Sequence, residues 1–189
     1  MSKSKFKYTD LLIFSILAVL SELAGNVLVD QLNSMFYMSF ASIIAIIALL
    51  RWGPAGVLVY IATGMYSFLV ASDYTLGNIM LHIVANMFIA IPSLFILNKN
   101  RDSIIKSEGR LVLFILLCYL SLSIGKGLAI FIITTETDGV ISYLSSQSFV
   151  FLISIIFAVV LSKKSEIICD MDEYLIRINK EKEEGRVIG

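Results

Sequence analysis

Six stretches of the chain are dominated by apolar side chains: roughly residues 11–28, 35–50, 54–71, 77–97, 111–133 and 143–161. Each is near the ~20 residues that a helix needs to cross about 30 Å of hydrocarbon. Apolar residues run on within them rather than alternating, and only two prolines and eleven glycines punctuate the chain. That pattern predicts helices, not the alternating strands of a lipid-facing barrel. The second stretch meets the third through Arg51-Trp52-Gly53-Pro54, where Gly and Pro predict a turn and Trp an interfacial depth. The basic N-terminus followed by Leu11–Leu20 resembles a signal peptide, but the apolar character continues to Leu28 and further spans follow, so a retained first helix is expected. Beyond Leu161 the chain turns polar. There Ile167, Ile168, Met171, Tyr174, Leu175 and Ile178 recur at helical spacing, predicting an amphipathic helix that lies on the membrane or on a partner. The expected fold is an all-α integral membrane protein, with a six-helix transmembrane domain over 1–162 and a charged tail over 163–189.

Composition sharpens this picture. Of 189 residues 58% are hydrophobic and 16% charged, whereas soluble domains sit near 45–50% apolar and roughly 25% charged. A chain of this size cannot bury so much apolar surface in its own core. Lipid is the solvent that fits.

Basic residues then give an orientation. Lys3, Lys5 and Lys7 precede the first stretch, and Arg51 lies between the second and third. Lys99, Arg101, Lys106 and Arg110 lie between the fourth and fifth, and Lys163, Lys164, Arg177, Lys180, Lys182 and Arg186 follow the sixth. Six spans put these fourteen of the fifteen Lys and Arg on one side, leaving Lys126 inside the fifth helix. The other side carries Asp30, Asp73, Glu136 and Asp138. The positive-inside rule predicts a multi-pass plasma-membrane protein with both termini in the cytoplasm. A formal net charge of zero offers no electrostatic footprint for nucleic acid.

Ionisable groups in hydrocarbon are rare because each costs about 2.5–3.5 kcal/mol at the bilayer centre, so they mark a site or a paired contact. Glu22, His82 and Lys126 qualify. At ~1.5 Å per residue all three fall in the outer half of the membrane, on three different helices. Asn26 follows Glu22 by four, and Asn78, His82 and Asn86 are spaced by four, so each set lies along one helix face. Asp73, Tyr74 and Gln147 fall at the outer ends. The expected substrate-binding set is Glu22, Asn26, Asp73, Tyr74, Asn78, His82, Lys126 and Gln147, lining one outward cavity. A carboxylate and an ammonium together suit a polar or zwitterionic small molecule. The competing reading makes these groups interhelical contacts, with Glu22 and Lys126 as an ion pair. One His is a poor metal signal, and Cys118 and Cys169 have no metal spacing. Gly125-Lys126-Gly127 lacks the upstream glycine of a phosphate loop. No catalytic constellation is present, so neither an enzyme nor a cofactor is expected.

The six-helix plan of this length resembles the S components of energy-coupling factor (ECF) transporters. The local similarity lies in "RWGPAGVLVYIATGMYSFLV" and "GNIMLHIVANMFIAIPSLFIL", which look like that family's Gly-Pro-initiated third helix and polar-starting fourth helix. The family's Ala-xxx-Ala in the first helix has no counterpart beside Ala18, Ser21 and Gly25. Its Asp late in the third helix is replaced by the run Gly64-Met65-Tyr66-Ser67. The resemblance implies vitamin or micronutrient uptake through an outward pocket, with a transmembrane coupling subunit and two cytosolic ATPases as partners. The alternative is a scaffold membrane protein similar to the rod-shape-determining MreD family, its polar residues serving as interhelical contacts.

Overall fold

In the computed structural model the described residues are 3–32, 39–71, 74–134, 150–157, 159–160 and 168–187. They form α1 (Lys3–Leu32), α2 (Ala41–Trp52), α3 (Val57–Val70), α4 (Leu76–Ile96), α5 (Asn98–Lys106) and α6 (Glu108–Thr134). The helical residues 150–157 and 159–160 form α7, and Met171–Val187 form α8. Every regular element among them is helical, as the unbroken apolar runs predict.

Among the described residues four stretches are long and apolar enough to cross a membrane: Lys3–Val27, Ala41–Val70, Leu76–Ile96 and Glu108–Thr134. The second is not a single straight rod. Ser39 and Ser67, at its two ends, both donate to the carboxylate of Glu22, at 2.6 and 3.3 Å. Midway between them, Arg51 and Trp52 donate to Asp10, about 18 Å further down α1. The chain therefore runs out along α2 and back along α3. Its reversal is the 3₁₀ turn Gly53–Gly56, entered through Gly53 at φ +61°, a conformation that disfavours any side chain. The turn expected at Gly53-Pro54 is thus a tight helical hairpin. Of the sixth stretch expected over residues 143–161, residues 150–157 and 159–160 are described, as α7, and the rest lies outside the described residues.

α4 pairs antiparallel with α3, since Asn86 Nδ2 donates to the carbonyl of Tyr60 and Gly64 sits on the carbonyl of His82. α6 pairs antiparallel with α4, Gly77 lying against Ile133 and Gly125 against Phe88. Close approach of this kind is how helices associate in lipid, where burial of apolar surface gives no drive between them. A Cβ on Gly64 would stand 2.0 Å from the His82 carbonyl oxygen, and one on Gly125 2.6 Å from the Phe88 ring. Trp52, Phe114, Ile115, Leu111 and Leu122 fill the core. A buried chain of hydroxyls, Ser42–Tyr119–Ser154, joins α2, α6 and α7 at 3.0 and 2.9 Å. Leu12, Ile16, Leu20 and Leu23 on α1, with Leu116, Leu120, Ile124 and Leu128 on α6, are exposed apolar stripes of the kind that spanning helices present to lipid.

α4 is not the regular helix its sequence predicts. It holds a π turn at Met80–Val84, a 3₁₀ turn at Phe88–Ala90 and a second π segment at Ser93–Leu97. Pro92 accounts for part of this, because it has no N–H and its ring crowds the carbonyl four residues earlier. Ser93 then caps the Ala90 carbonyl at 2.6 Å.

The end of the bundle opposite Glu22 is stitched by charge. Asp10 takes Arg51 and Trp52, and Arg101 donates to Asp170 at 2.7 Å and to the carbonyl of Arg51 at 3.2 Å. Lys3 pairs with Asp172 at 2.9 Å. The N-terminus, the hairpin turn, α5 and the start of α8 therefore meet at one pole. Asp170 also caps α8 by accepting the amides of Asp172 and Glu173. Of the apolar stripe expected in the tail, Ile168 and Met171 are buried in the core and Leu175 packs on it, while Tyr174 is exposed. Ile167 lies outside the described residues.

Candidate binding site

Glu22 is placed two-thirds along α1, where the apolar period turns its face inward with Ala18 and Gly25. Its Oε2 accepts from Ser39, just before α2, and its Oε1 from Ser67, late in α3. Ser67 lies one turn past Gly64 on the helix that the Gly-Pro turn sends back towards Glu22. The carboxylate is thus held by two hydroxyls, each oxygen keeping acceptor capacity.

Lys126 reaches its position because Gly125 lets α6 settle onto α4. Its Nζ donates to the carbonyl of Leu81 at 2.8 Å, inside the π turn of α4. Two ammonium hydrogens stay available for other acceptors. π turns are rare and recur at functional sites. His82, next in sequence to Leu81, is half-buried, and its carbonyl is the one on which Gly64 rests. Lys126 therefore reaches the residue before His82, and Ser67, which holds Glu22, lies one turn from the Gly64 that rests on the His82 carbonyl. Glu22 and Lys126 are thus each held beside the α3–α4 contact at which His82 sits. They are not an ion pair: the ion pairs among the described residues join other partners.

The remaining members of the expected set fare differently. Asn26 is half-buried one turn beyond Glu22 on α1. Asn78 is half-buried in the first turn of α4, its backbone N–H donating to the Thr75 hydroxyl. Tyr74 is exposed, stacks edge-on against Phe68 at 5.4 Å and donates to the Leu69 carbonyl. Asp73 and Gln147 lie outside the described residues. Asn86, one turn deeper than His82, is buried, and its Oδ1 finds no donor among the described residues. Ser39, Ser67 and the Leu81 carbonyl were not anticipated. A serine one turn past Thr63, late in a mostly apolar third helix, was the available signal for Ser67; a backbone carbonyl leaves none.

Among the described residues no three His, Cys, Asp or Glu side chains lie together as a metal would require. What the arrangement offers is a fixed anion and a fixed cation, each restrained by neutral partners, with a buried amide oxygen nearby. In comparisons with protein families, curated proteins and solved structures, the chain matches none.

Proposed function

We propose that this chain is the substrate-capturing membrane subunit of a micronutrient importer, of the kind the S components of ECF transporters represent. In this reading six helices cross the plasma membrane, both termini are cytoplasmic, and the Glu22 end of the bundle faces outward. One observation carries it: a carboxylate and an ammonium lie near each other inside the apolar bundle without pairing. Two opposite charges retained only to hold helices together would be expected to close on each other, since an isolated charge in low dielectric is expensive. Held apart by serines and a carbonyl, they are available to a ligand. The clustering of Lys3, Arg51 and Arg101 at the opposite pole supports the orientation.

The chain has no nucleotide-binding motif, so uptake would draw on a coupling subunit and two ATPases. Uptake into vesicles should require those partners, and concentrative uptake by this chain alone would defeat the proposal. A scaffold role predicts instead a purified protein that never carries a small molecule.

A further inference from the structure

Glu22 and Lys126 stand on opposite sides of a seam. The carboxylate belongs to the α1–α2–α3 unit, because both of its serine partners come from the ends of the hairpin. The ammonium belongs to the α4–α6 unit, because its partner is the Leu81 carbonyl. The units meet through Ser42 and Tyr119 and along the α3–α4 seam, where Gly64 meets His82 and Tyr60 meets Asn86. A neutral ligand here would leave two charges unanswered, and a singly charged one would leave one. We infer that the substrate is a small zwitterion whose cationic nitrogen sits on Glu22, beside Ser39 and Ser67, and whose acid group sits on Lys126, tying the two units across the α3–α4 seam. This rests on the capture function proposed above and goes further, since it assigns the charge type of the substrate and its direction.

Two consequences separate it from generic polar binding. Each end of the ligand answers to one residue, and the ligand adds a tie at the α3–α4 seam beyond the Gly64 contact and the Asn86–Tyr60 hydrogen bond. A charge-assisted hydrogen bond contributes about 1.5–3 kcal/mol, so losing either anchor weakens binding roughly tenfold to hundredfold.

The test is native mass spectrometry of the freshly purified protein, with the retained molecule identified by its fragments. The expected result is a bound molecule carrying both a basic nitrogen and an acid group. Glu22→Gln and Lys126→Gln, each able to keep a hydrogen bond to its present partners, should lose that mass while the protein stays monodisperse in detergent. Adding back the identified molecule should restore occupancy of the native protein. The ester of its acid group should bind the native protein at least tenfold more weakly and Lys126→Gln no more weakly than the parent molecule does. A retained molecule that is neutral or carries one charge overturns the inference and leaves the capture function standing. A protein that retains no molecule sinks both.

Discussion

A single methyl group at Gly64 would press into the backbone of α4 at 2.0 Å from the His82 carbonyl. Backbone yields less readily than a side chain, so Gly64→Ala must push α3 and α4 apart. Overpacking of this sort costs about 1–3 kcal/mol. We expect a lower unfolding temperature in detergent together with weakened ligand retention; an unchanged melting curve would mean that the two helices do not touch there. Ser67→Ala is a gentler change. It leaves Glu22 with Ser39 alone, and the expected loss is about 1 kcal/mol, read as reduced ligand affinity with little change in melting. Three members of this candidate niche stand out in the sequence, because Glu22, His82 and Lys126 are costly in lipid and their estimated depths coincide. The partners were not. Ser39 and Ser67 look like tolerable hydroxyls in apolar runs, and only the hairpin brings both to one carboxylate.

Among the elements, α8 is the one whose attachment depends on charge. Arg101 and Asp170 are 12% and 16% exposed, so their contact is largely screened from water. Among the described residues the Nε of Arg101 has no acceptor, which leaves this guanidinium dependent on its Asp170 and Asp172 contacts and the Arg51 carbonyl. Asp170→Asn should weaken the docking of α8 by about 3 kcal/mol, the lower range for breaking a buried pair. Hydrogen exchange over 171–180 would report it as faster exchange, with the membrane helices unaffected. Asp172 adds a pH dependence. Burial alone would raise its carboxyl, but the Lys3 hydrogen bond and charge, with Arg101, hold it below the usual carboxylate range. Its contribution is therefore full above the ordinary Asp value near 4 and is lost as pH falls through the lowered one. Exchange in α8 should rise with acidification below about pH 4, and Asp172→Asn should flatten that rise. The amphipathic spacing of the tail foretold a helix with one apolar edge. It could not foretell that Arg101, 69 residues earlier, would be its anchor. Within α4 the four-residue spacing of Asn78, His82 and Asn86 predicted one straight face, and the π turn that offers the Leu81 carbonyl to Lys126 is invisible to such a count.

At the scale of the molecule, topology follows from where charge collects. Lys3, Arg51, Arg101 and the start of α8 meet at one pole, and Glu22 with Lys126 lies towards the other. Single cysteines introduced at Lys99 and at Thr137 should therefore differ in intact cells. An impermeant thiol reagent should modify position 137 and spare position 99; the opposite result would invert the proposed orientation. Helical class and the hairpin turn were readable from apolar run length and from Gly53-Pro54, because both are local. Among the described residues four long apolar stretches are seen where six spans were expected; the hairpin accounts for one of the two, because it packs two arms of about 18 and 21 Å into one continuous stretch, and the other is the last expected span. Residues 143–149 of the last expected span are outside the described residues.

The pole stitched by Arg101 carries a consequence for how the protein is made. Chains fold from the N-terminal side as they are synthesised, and Lys3, Asp10, Arg51 and Arg101 are all in place long before Asp170 and Asp172 emerge. Until then the Arg101 guanidinium lacks both of its carboxylates. The last segment translated thus neutralises a charge laid down in the middle of the chain. A nascent protein that stops short of Asp170 is left with that charge unanswered, and so carries a mark of its own incompleteness.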